Sequence, residues 1–280
     1  MISTNRKHYL FASDFDKTLT FNDTGYVLSE LVGISVEEFE RKIKGMALLN
    51  LVQQGAELSY LLLHDPHFRS KVRREHLMEV GKRIRLKQNI KQVYDILDHR
   101  IEGFHFDFYV LSAAPVEVIQ SALEGIVPQD HIYGTEFKYR ENGEIDTLVR
   151  ATAGYGKVAR LEKLIDKIGV PFDRVVYVGD GSSDIHVMLH VNRHEGFTIA
   201  VSESKTVAQI AKRTVLSDNA LATIVPILEE IAGWTRPEIR RLFESYGFVI
   251  QGWETVQTDW VELRASELAV PRAAAAADAV

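Results

Sequence analysis

Short apolar runs that stop abruptly at a polar residue or a glycine recur along this sequence, and they constrain the fold more than any other feature. The runs cover residues 8–13, 106–111, 174–178, 197–201 and 213–216. The first three end directly before Asp14, Ser112 and Gly179. Because stretches with helical patterning lie between them, the runs are typical of buried parallel strands joined by crossover helices. The sequence therefore predicts an α/β fold built on a parallel sheet.

The segment from residue 23 to residue 100 departs from this alternation, because it has helical patterning and almost no strand signal. A crossover between parallel strands needs only about a dozen residues, so we expect an inserted α-helical cap or subdomain here. Residues 1–22 and 101–232 would then form the core domain, and residues 233–280 a C-terminal extension. The extension ends in the alanine-rich stretch 271–280, which is expected to be frayed and flexible.

Asn142 and Gly143 lie between two extended segments. The pair Asn-Gly is the usual sequence of a two-residue type I′ turn, in which both residues take positive φ. We therefore expect a type I′ hairpin at this point of the chain.

Composition excludes several classes of protein. Lysine and arginine number 33 against 39 aspartates and glutamates, a net charge of −6, so general binding to nucleic-acid phosphates is not expected. The chain has no cysteine, which excludes disulfides, thiol catalysis and cysteine-ligated metal sites. The apolar runs fall short of a membrane span, and the polar start lacks the apolar stretch of a signal peptide. We therefore expect a cytoplasmic protein without nucleic-acid or membrane partners.

Two pairs of carboxylates follow predicted strands. Asp14 and Asp16 come after the first strand, and Asp180 and Asp184 come after the third. Alternate residues of an extended chain face the same side, and open α/β sheets bind ligands at the carboxyl ends of their strands. Carboxylates held close together repel unless a cation bridges them, and oxygen ligands suit Mg²⁺. Taken singly, each pair could equally be a solvated turn, with Asp184 as a helix N-cap.

Ser112 and Lys157 offer partners for an anion. Ser112 ends the second predicted strand, and we expect its hydroxyl and the N–H of Ala113 where the next helix begins, a favourable place for phosphate. Lys157 starts a later predicted helix, where its charge opposes the helix dipole unless an anion holds it. Taken singly, Ser112 could be a plain N-cap and Lys157 a solvated lysine.

Taken together, these four elements resemble the motifs of the haloacid dehalogenase (HAD) superfamily of phosphatases. In chain order they are Asp14-x-Asp16-x-Thr18, Ser112, Lys157 and Gly179-Asp180-Gly181-x-x-Asp184. The helical insertion resembles the cap found at the same place in the phosphoserine-phosphatase-like branch. The resemblance implies a three-layer, Rossmann-like core with an inserted helical cap. It also implies an Mg²⁺-dependent phosphomonoesterase that acts on a small phosphorylated metabolite.

The resemblance also implies roles for these residues. Asp14 would attack phosphorus and form an aspartyl-phosphate, while Asp16 would act as general acid toward the leaving group and then as base for water. Lys157, Ser112 and the N–H of Ala113 would bind the phosphoryl oxygens. The residues implied for the Mg²⁺ site are Asp14, Asp16 (through its backbone carbonyl), Asp180 and Asp184. The presence of Asp16 favours a phosphatase over a dehalogenase, which lacks this second carboxylate.

Two positions near the first motif concern the substrate. Lys17 stands where many relatives carry Gly or Ser, so it could contact an anionic substrate or point outward. Asp23 stands where phosphoserine phosphatases carry a glutamate that binds the substrate amine. No counterpart of their cap arginine is evident near residues 46–54, so the sequence does not single out phosphoserine as the substrate.

Two alternatives stay open on the sequence alone. A phosphotransferase or mutase would keep the aspartyl-phosphate but hand the phosphoryl group to an alcohol instead of water. A non-catalytic regulatory protein would keep only the fold. The extension after residue 231 could form a partner surface, including that of a homodimer.

Overall fold

A single sheet organises the protein, whose computed structural model describes residues 6–254. The strands are β1 (Lys7–Ser13), β2 (Phe104–Pro115), β3 (Ile132–Tyr139), β4 (Ile145–Arg150), β5 (Val175–Gly179), β6 (Phe197–Ala200) and β7 (Arg213–Thr214). They form a seven-stranded sheet in the order β4-β3-β2-β1-β5-β6-β7. Each neighbouring pair in this sheet is parallel except β3 and β4, which are antiparallel. The predicted α/β fold with a parallel sheet is confirmed.

Helices occupy the long segment between β1 and β2. They are α1 (Thr24–Leu31), α2 (Val36–Leu48), α3 (Glu57–His64), α4 (Pro66–Lys71), α5 (Arg74–Arg83) and α6 (Ile90–His99). In spite of this insertion β1 and β2 pair directly, with Phe11 opposite Phe108. The last inserted helix, α6, packs against β2.

The remaining helices follow the later strands. They are α7 (Val116–Ala122), α8 (Tyr155–Ile168), α9 (Ile185–Arg193), α10 (Lys205–Ile210), α11 (Val225–Glu230) and α12 (Arg236–Ser245). Apolar side chains of α8 and α9 belong to the same buried cluster as Leu10 and Ala12 of β1. On the other face of β1, Phe11 stacks on Phe108 at a centroid distance of 5.2 Å. Both faces of the strand are therefore covered, which explains why its sequence is continuously apolar.

The hairpin between β3 and β4 forms as predicted, but its turn is not of type I′. Gly143 takes a positive φ of 78°, whereas Asn142 is not among the residues with positive φ. The N–H of Gly143 donates to the carbonyl of Arg140, and the N–H of Arg140 donates to the carbonyl of Glu144, each at 2.9 Å. This pattern is the three-residue loop in which a glycine in the left-handed region follows a type I turn. The hairpin loop therefore has three residues, 141–143, and Asn142 and Gly143 are its last two residues instead of the whole of the two-residue turn we expected.

The described chain divides into two compact units, with one ending at Arg236 and the other beginning at Pro237. In the second unit, the N–H of Phe248 donates to the carbonyl of Phe243 at 2.9 Å and turns the chain back toward α12. The stretch 271–280 that was expected to be frayed lies outside the described residues. Among residues 6–254, none of the helices combines the length and apolar character that crossing a membrane requires.

Candidate active site

The carboxyl ends of two neighbouring strands bring three aspartates together. Asp14 directly follows β1, Asp180 directly follows β5, and these strands pair in the centre of the sheet. The chain then forms a one-turn 3-10 helix over Ser182–Asp184, which places Asp184 beside them. One oxygen each from Asp14, Asp180 and Asp184 lies within 4.8 Å of the other two. The convergence of these carboxylates is the central feature of the site.

Lys157 extends its ammonium group into this cluster. It lies in the first turn of α8, and its side chain is fully buried. Its Nζ is 3.0 Å from Asp14 Oδ1 and 2.6 Å from Asp184 Oδ1. Burial alone would lower the pKa of Lys157, but the charges and hydrogen bonds of Asp14 and Asp184 outweigh burial and raise it. The lysine is thus a fixed positive charge between two carboxylates.

Asp184 is held by donors from three directions. Besides Lys157, the Tyr177 hydroxyl donates to its Oδ1 at 2.6 Å, and the N–H groups of Asp180 and Gly181 donate to its Oδ2 at 3.1 Å each. These contacts engage both carboxylate oxygens, so Asp184 is placed to orient the lysine and the loop. Sequence reasoning missed Tyr177, whose one signal is a phenol in an otherwise aliphatic strand, where a buried hydroxyl needs a partner.

The acids of the cluster have raised pKa values, mainly because they are buried and secondly because they repel one another. Burial raises the pKa of Asp14 to about 6, and the charge of Asp184 adds to this, while Lys157 opposes it. Burial likewise raises the pKa of Asp180 to about 8, with further contributions from Asp14 and Asp184. Three carboxylates share a single ammonium, so their negative charge is only partly compensated by the protein itself.

Asp16 is not a member of the three-carboxylate cluster. Its Oδ1 accepts hydrogen bonds from the N–H of Thr24 at 3.0 Å and from the Thr24 hydroxyl at 2.7 Å. Burial raises the pKa of Asp16 well above its ordinary value, and the charge of Asp23 adds to this. The side chain is therefore positioned by the start of α1, in a surrounding that favours its protonated form.

Thr18, the last residue of the first motif, is buried, and its hydroxyl donates to Asp180 Oδ1 at 3.4 Å. It thereby links the loop after β1 to the loop after β5.

The structure corrects the position of Ser112 and Ala113. Both lie inside β2, which continues to Pro115, and α7 begins only at Val116, so the expected helix start next to Ala113 is wrong. The pairing of β2 with β3 becomes irregular after Leu111 and resumes at Pro115, and the Thr135 hydroxyl donates to the carbonyl of Ala113 at 2.8 Å. The Ser112 hydroxyl oxygen accepts the N–H of Ala114 at 3.3 Å.

Lys17 and Asp23 form a pair beside the first motif. The ammonium of Lys17 is 3.7 Å from Asp23 Oδ2, and about half of the lysine side chain is exposed. Asp23 is the N-cap of α1 and accepts the N–H of Gly25 at 2.9 Å. Both residues thus have a structural partner, which leaves their contact with a substrate as a hypothesis.

A cleft of about 470 Å³ borders the loop that carries these residues. Charged side chains of both signs line it, namely Lys17, Lys87, Glu203 and Asp218. The cleft is therefore polar and close to charge balance.

The inserted segment reaches the carboxylate loops through residues that sequence reasoning did not identify. The Gln53 side-chain oxygen accepts the N–H of Tyr155 at 3.2 Å, directly before Gly156 and Lys157. A Cβ placed on Gly55 would lie 2.8 Å from Ser183 Cβ and 3.5 Å from Ala113 Cβ. Only a residue without a side chain fits this approach, which brings the segment after α2 next to the site.

The chain belongs to the haloacid dehalogenase-like hydrolases, since the model of that family matches residues 11–189. The match includes every motif residue from Asp14 to Asp184, and it confirms the expected family and a hydrolase enzyme. No curated protein sequence matches the chain.

Solved structures with the same fold include phosphoserine phosphatases. A substrate-bound phosphoserine phosphatase has a TM-score of 0.61 at 20% identity, with 79% of this chain and 99% of that chain covered. A phosphoserine phosphohydrolase-like protein from Francisella tularensis subsp. tularensis SCHU S4 has a TM-score of 0.59 at 18% identity. The match covers 78% of this chain and 99% of that chain. A HAD family hydrolase from Salmonella enterica subsp. enterica serovar Typhi has a TM-score of 0.63 at 15% identity. The match covers 80% of this chain and 72% of that chain. At these identities the likeness concerns the fold.

Proposed function

We propose that this protein is an Mg²⁺-dependent phosphomonoesterase that hydrolyses a small phosphorylated metabolite through an aspartyl-phosphate on Asp14. The observation that carries the proposal is the buried cluster of Asp14, Asp180 and Asp184, with the ammonium of Lys157 between Asp14 and Asp184. A nucleophilic carboxylate and a phosphoryl-binding cation are thereby held together at the edge of the sheet where α/β folds bind ligands.

The donor set fits Mg²⁺. The three carboxylates offer oxygen atoms only, and among the described residues Lys157 is the ammonium in direct contact with them, so a divalent cation would offset the negative charge that remains. Asp14 and Asp180 would hold the ion, together with the backbone carbonyl of Asp16, and Asp184 would orient this shell. When bound, Mg²⁺ offsets the negative charge of the phosphoryl group and of the attacking carboxylate.

Asp14 is oriented for attack. Its Oδ1 accepts the N–H of Phe15 at 2.7 Å and lies 3.0 Å from Lys157 Nζ, so both contacts leave Oδ2 to attack phosphorus. A bond forms between that oxygen and phosphorus while the bond from phosphorus to the ester oxygen breaks, and Asp16 gives its proton to the leaving oxygen. Water then attacks the phosphorus of the aspartyl-phosphate, Asp16 takes a proton from it, and Asp14 is released with inorganic phosphate.

Lys157 and Ser112 are the proposed phosphoryl ligands. The ammonium of Lys157 is already at the nucleophile, so it is placed to stabilise charge on the transferring group. The Ser112 hydroxyl and the N–H of Ala113 lie where the pairing of β2 with β3 is irregular, and they would donate to the other phosphoryl oxygens.

We further propose that residues 23–100 act as a cap that shapes the substrate pocket. The contact of Gln53 with Tyr155 and the approach of Gly55 to Ser183 support this role. The leaving group would occupy the polar cleft beside Lys17, where Lys87 and Asp218 supply charges of both signs, and where Asp23 lies 3.7 Å from the Lys17 ammonium. Gln53→Ala and Lys87→Gln are expected to raise KM more than they lower kcat, whereas unchanged KM in both would place the pocket elsewhere.

The test of the assigned nucleophile is hydrolysis of a generic aryl phosphate with Mg²⁺ by the wild type and by Asp14→Asn. The variant is expected to be inactive, because an amide cannot form the acyl phosphate. Asp173→Asn, at an exposed aspartate, is the matched control and should retain full activity. Equal activity of Asp14→Asn and wild type would rule out Asp14.

The alternative is a phosphotransferase or mutase, which Asp14 and Asp16 would serve equally well. Product analysis with and without an added acceptor alcohol separates the two. Free phosphate as the sole product in both cases supports hydrolysis, whereas transfer of the phosphoryl group to the alcohol as the main product supports the alternative.

A further inference from the structure

A second polar cluster lies at the opposite end of the central strands. His8 is the second residue of β1, His105 is the second residue of β2, and the two are partners in the parallel pairing. Asp107 lies two residues further along β2, so its side chain leaves the same face as that of His105. Asp14 lies six positions after His8 along the extended chain, which places the cluster roughly 20 Å from the proposed active site.

The Asp107 carboxylate lies between the two imidazoles. Its Oδ2 is 2.7 Å from His8 Nε2, and its Oδ1 is 3.2 Å from His105 Nε2. One potential ligand atom from each of these three side chains lies within 4.8 Å of the other two. Small side-chain rotations would place each of these atoms ~2.0–2.2 Å from an ion between them, the distance at which nitrogen and carboxylate oxygen bind zinc.

A second carboxylate supports His105 from behind. Asp98, in the last turn of α6, has its Oδ1 at 3.3 Å from His105 Nδ1, and its backbone oxygen is 3.4 Å from the same nitrogen. Metal-binding histidines typically donate their outer ring N–H to a carboxylate or carbonyl in this way. When its outer N–H is donated in this way, the Nε2 lone pair of His105 faces Asp107 and is available to a metal ion.

The cluster is open to solvent, which gives an ion a path of entry. The exposed fractions of the His8, His105 and Asp107 side chains are 36%, 33% and 25%. The three residues come from two adjacent strands of a rigid sheet, so the ligands are held in place before an ion arrives.

We propose that His8, His105 and Asp107 form a site for a divalent transition-metal ion of the zinc type, with Asp98 as a positioning residue for His105. Imidazole nitrogen favours Zn²⁺, Co²⁺ and Ni²⁺, whereas Mg²⁺ takes oxygen ligands. The site therefore differs in metal preference from the all-carboxylate cluster. An ion bound there ties the start of β1 to β2 and leaves a further coordination position for water.

The test is calorimetric titration of the full-length protein with Zn²⁺ in excess Mg²⁺, so that Mg²⁺ occupies the carboxylate cluster. We expect the wild type to bind one equivalent of Zn²⁺ more than the double variant His8→Gln/His105→Gln. Asp98→Asn should weaken the binding about 10–100-fold, and an unchanged affinity would overturn the positioning role of Asp98. The control is His194→Gln, which disrupts another pair of neighbouring histidines, His190 and His194, with ring centroids 4.6 Å apart. It should bind Zn²⁺ as the wild type does.

Equal numbers of Zn²⁺ equivalents bound by the double variant and the wild type, or no Zn²⁺ binding by the wild type, would overturn the proposal. A second measurement on the wild type keeps the test valid even if the double variant folds poorly. In NMR spectra of protein whose histidines carry a nitrogen isotope label, Zn²⁺ should shift the imidazole nitrogen resonances of His8 and His105. Shifts confined to other histidines would equally overturn the assignment.

Discussion

Replacing Tyr177 by phenylalanine removes one hydroxyl group from the centre of the protein and leaves the ring in place. That hydroxyl donates to Asp184 Oδ1 at 2.6 Å, and Tyr177 is fully buried. The substitution therefore tests whether the hydrogen bonds around Asp184 position the site, without opening a cavity the size of a side chain.

The size of the effect follows from the partners that remain. A hydrogen bond to a charged group contributes about 1.5–3 kcal/mol to stability. Asp184 keeps three other donors, namely Lys157 Nζ and the N–H groups of Asp180 and Gly181. We therefore expect a loss at the lower end, about 1.5 kcal/mol. At ~2–4 °C per kcal/mol for a domain of this size, the Tm should fall by about 3–6 °C.

Activity should respond as well, because Asp184 holds Lys157 against Asp14. We expect the Mg²⁺ concentration for half-maximal activity to rise about tenfold or more, as it does when a group that supports metal ligands is lost. The assays are thermal unfolding and hydrolysis of an aryl phosphate at increasing Mg²⁺. Tyr109→Phe is the matched control, since Tyr109 is buried in the same cluster and stacks on His131 at 4.1 Å. If Tyr177→Phe and wild type share both Tm and Mg²⁺ dependence, the reasoning about Asp184 is refuted.

Two further predictions concern neighbours of this carboxylate. Lys157→Met should lower kcat/KM for an aryl phosphate about 10²–10³-fold, the usual cost of losing a group that stabilises transition-state charge. Lys167→Met, at an exposed lysine of the same helix, should not, and equal losses in both would contradict the assigned role. In Gly179→Ala, the new Cβ would lie 2.5 Å from Asp184 Cγ, so unfolding measurements should show a loss of about 1–3 kcal/mol together with weaker Mg²⁺ activation. Gly181→Ala, where a Cβ has no neighbour within 4 Å, should change neither stability nor Mg²⁺ activation. If Gly179→Ala also left both unchanged, a fixed position of the Asp184 carboxylate would not be required.

The meeting of Asp14 and Asp180 could be predicted from the sequence, because each follows a short apolar run and parallel strands end at a common edge. The pattern predicts that both lie at this edge, but it does not predict that β1 and β5 are neighbours. That adjacency depends on the strand order, which is set by packing of the whole sheet.

Other parts of the site depend on contacts between distant segments and could not be predicted. Tyr177 is one aromatic residue in a buried strand, and only the three-dimensional structure places its hydroxyl at Asp184. The extension of β2 beyond Ser112 lies against Thr135 of another strand, which pairs with Pro115 and donates its hydroxyl to the carbonyl of Ala113. The turn at Gly143 is defined by hydrogen bonds from Gly143 to Arg140 and from Arg140 to Glu144, and the Asn-Gly dipeptide alone does not specify these partners.

The most direct test of the covalent mechanism is the stereochemical course of hydrolysis at phosphorus. A phosphorothioate monoester made chiral with two oxygen isotopes can be hydrolysed by the Mg²⁺-loaded wild type in water enriched in the third isotope, and the configuration of the released thiophosphate determined. Attack by Asp14 followed by attack of water on the aspartyl-phosphate gives two inversions, so we predict net retention. Net inversion would mean that water attacks the ester directly, and it would contradict the aspartyl-phosphate route.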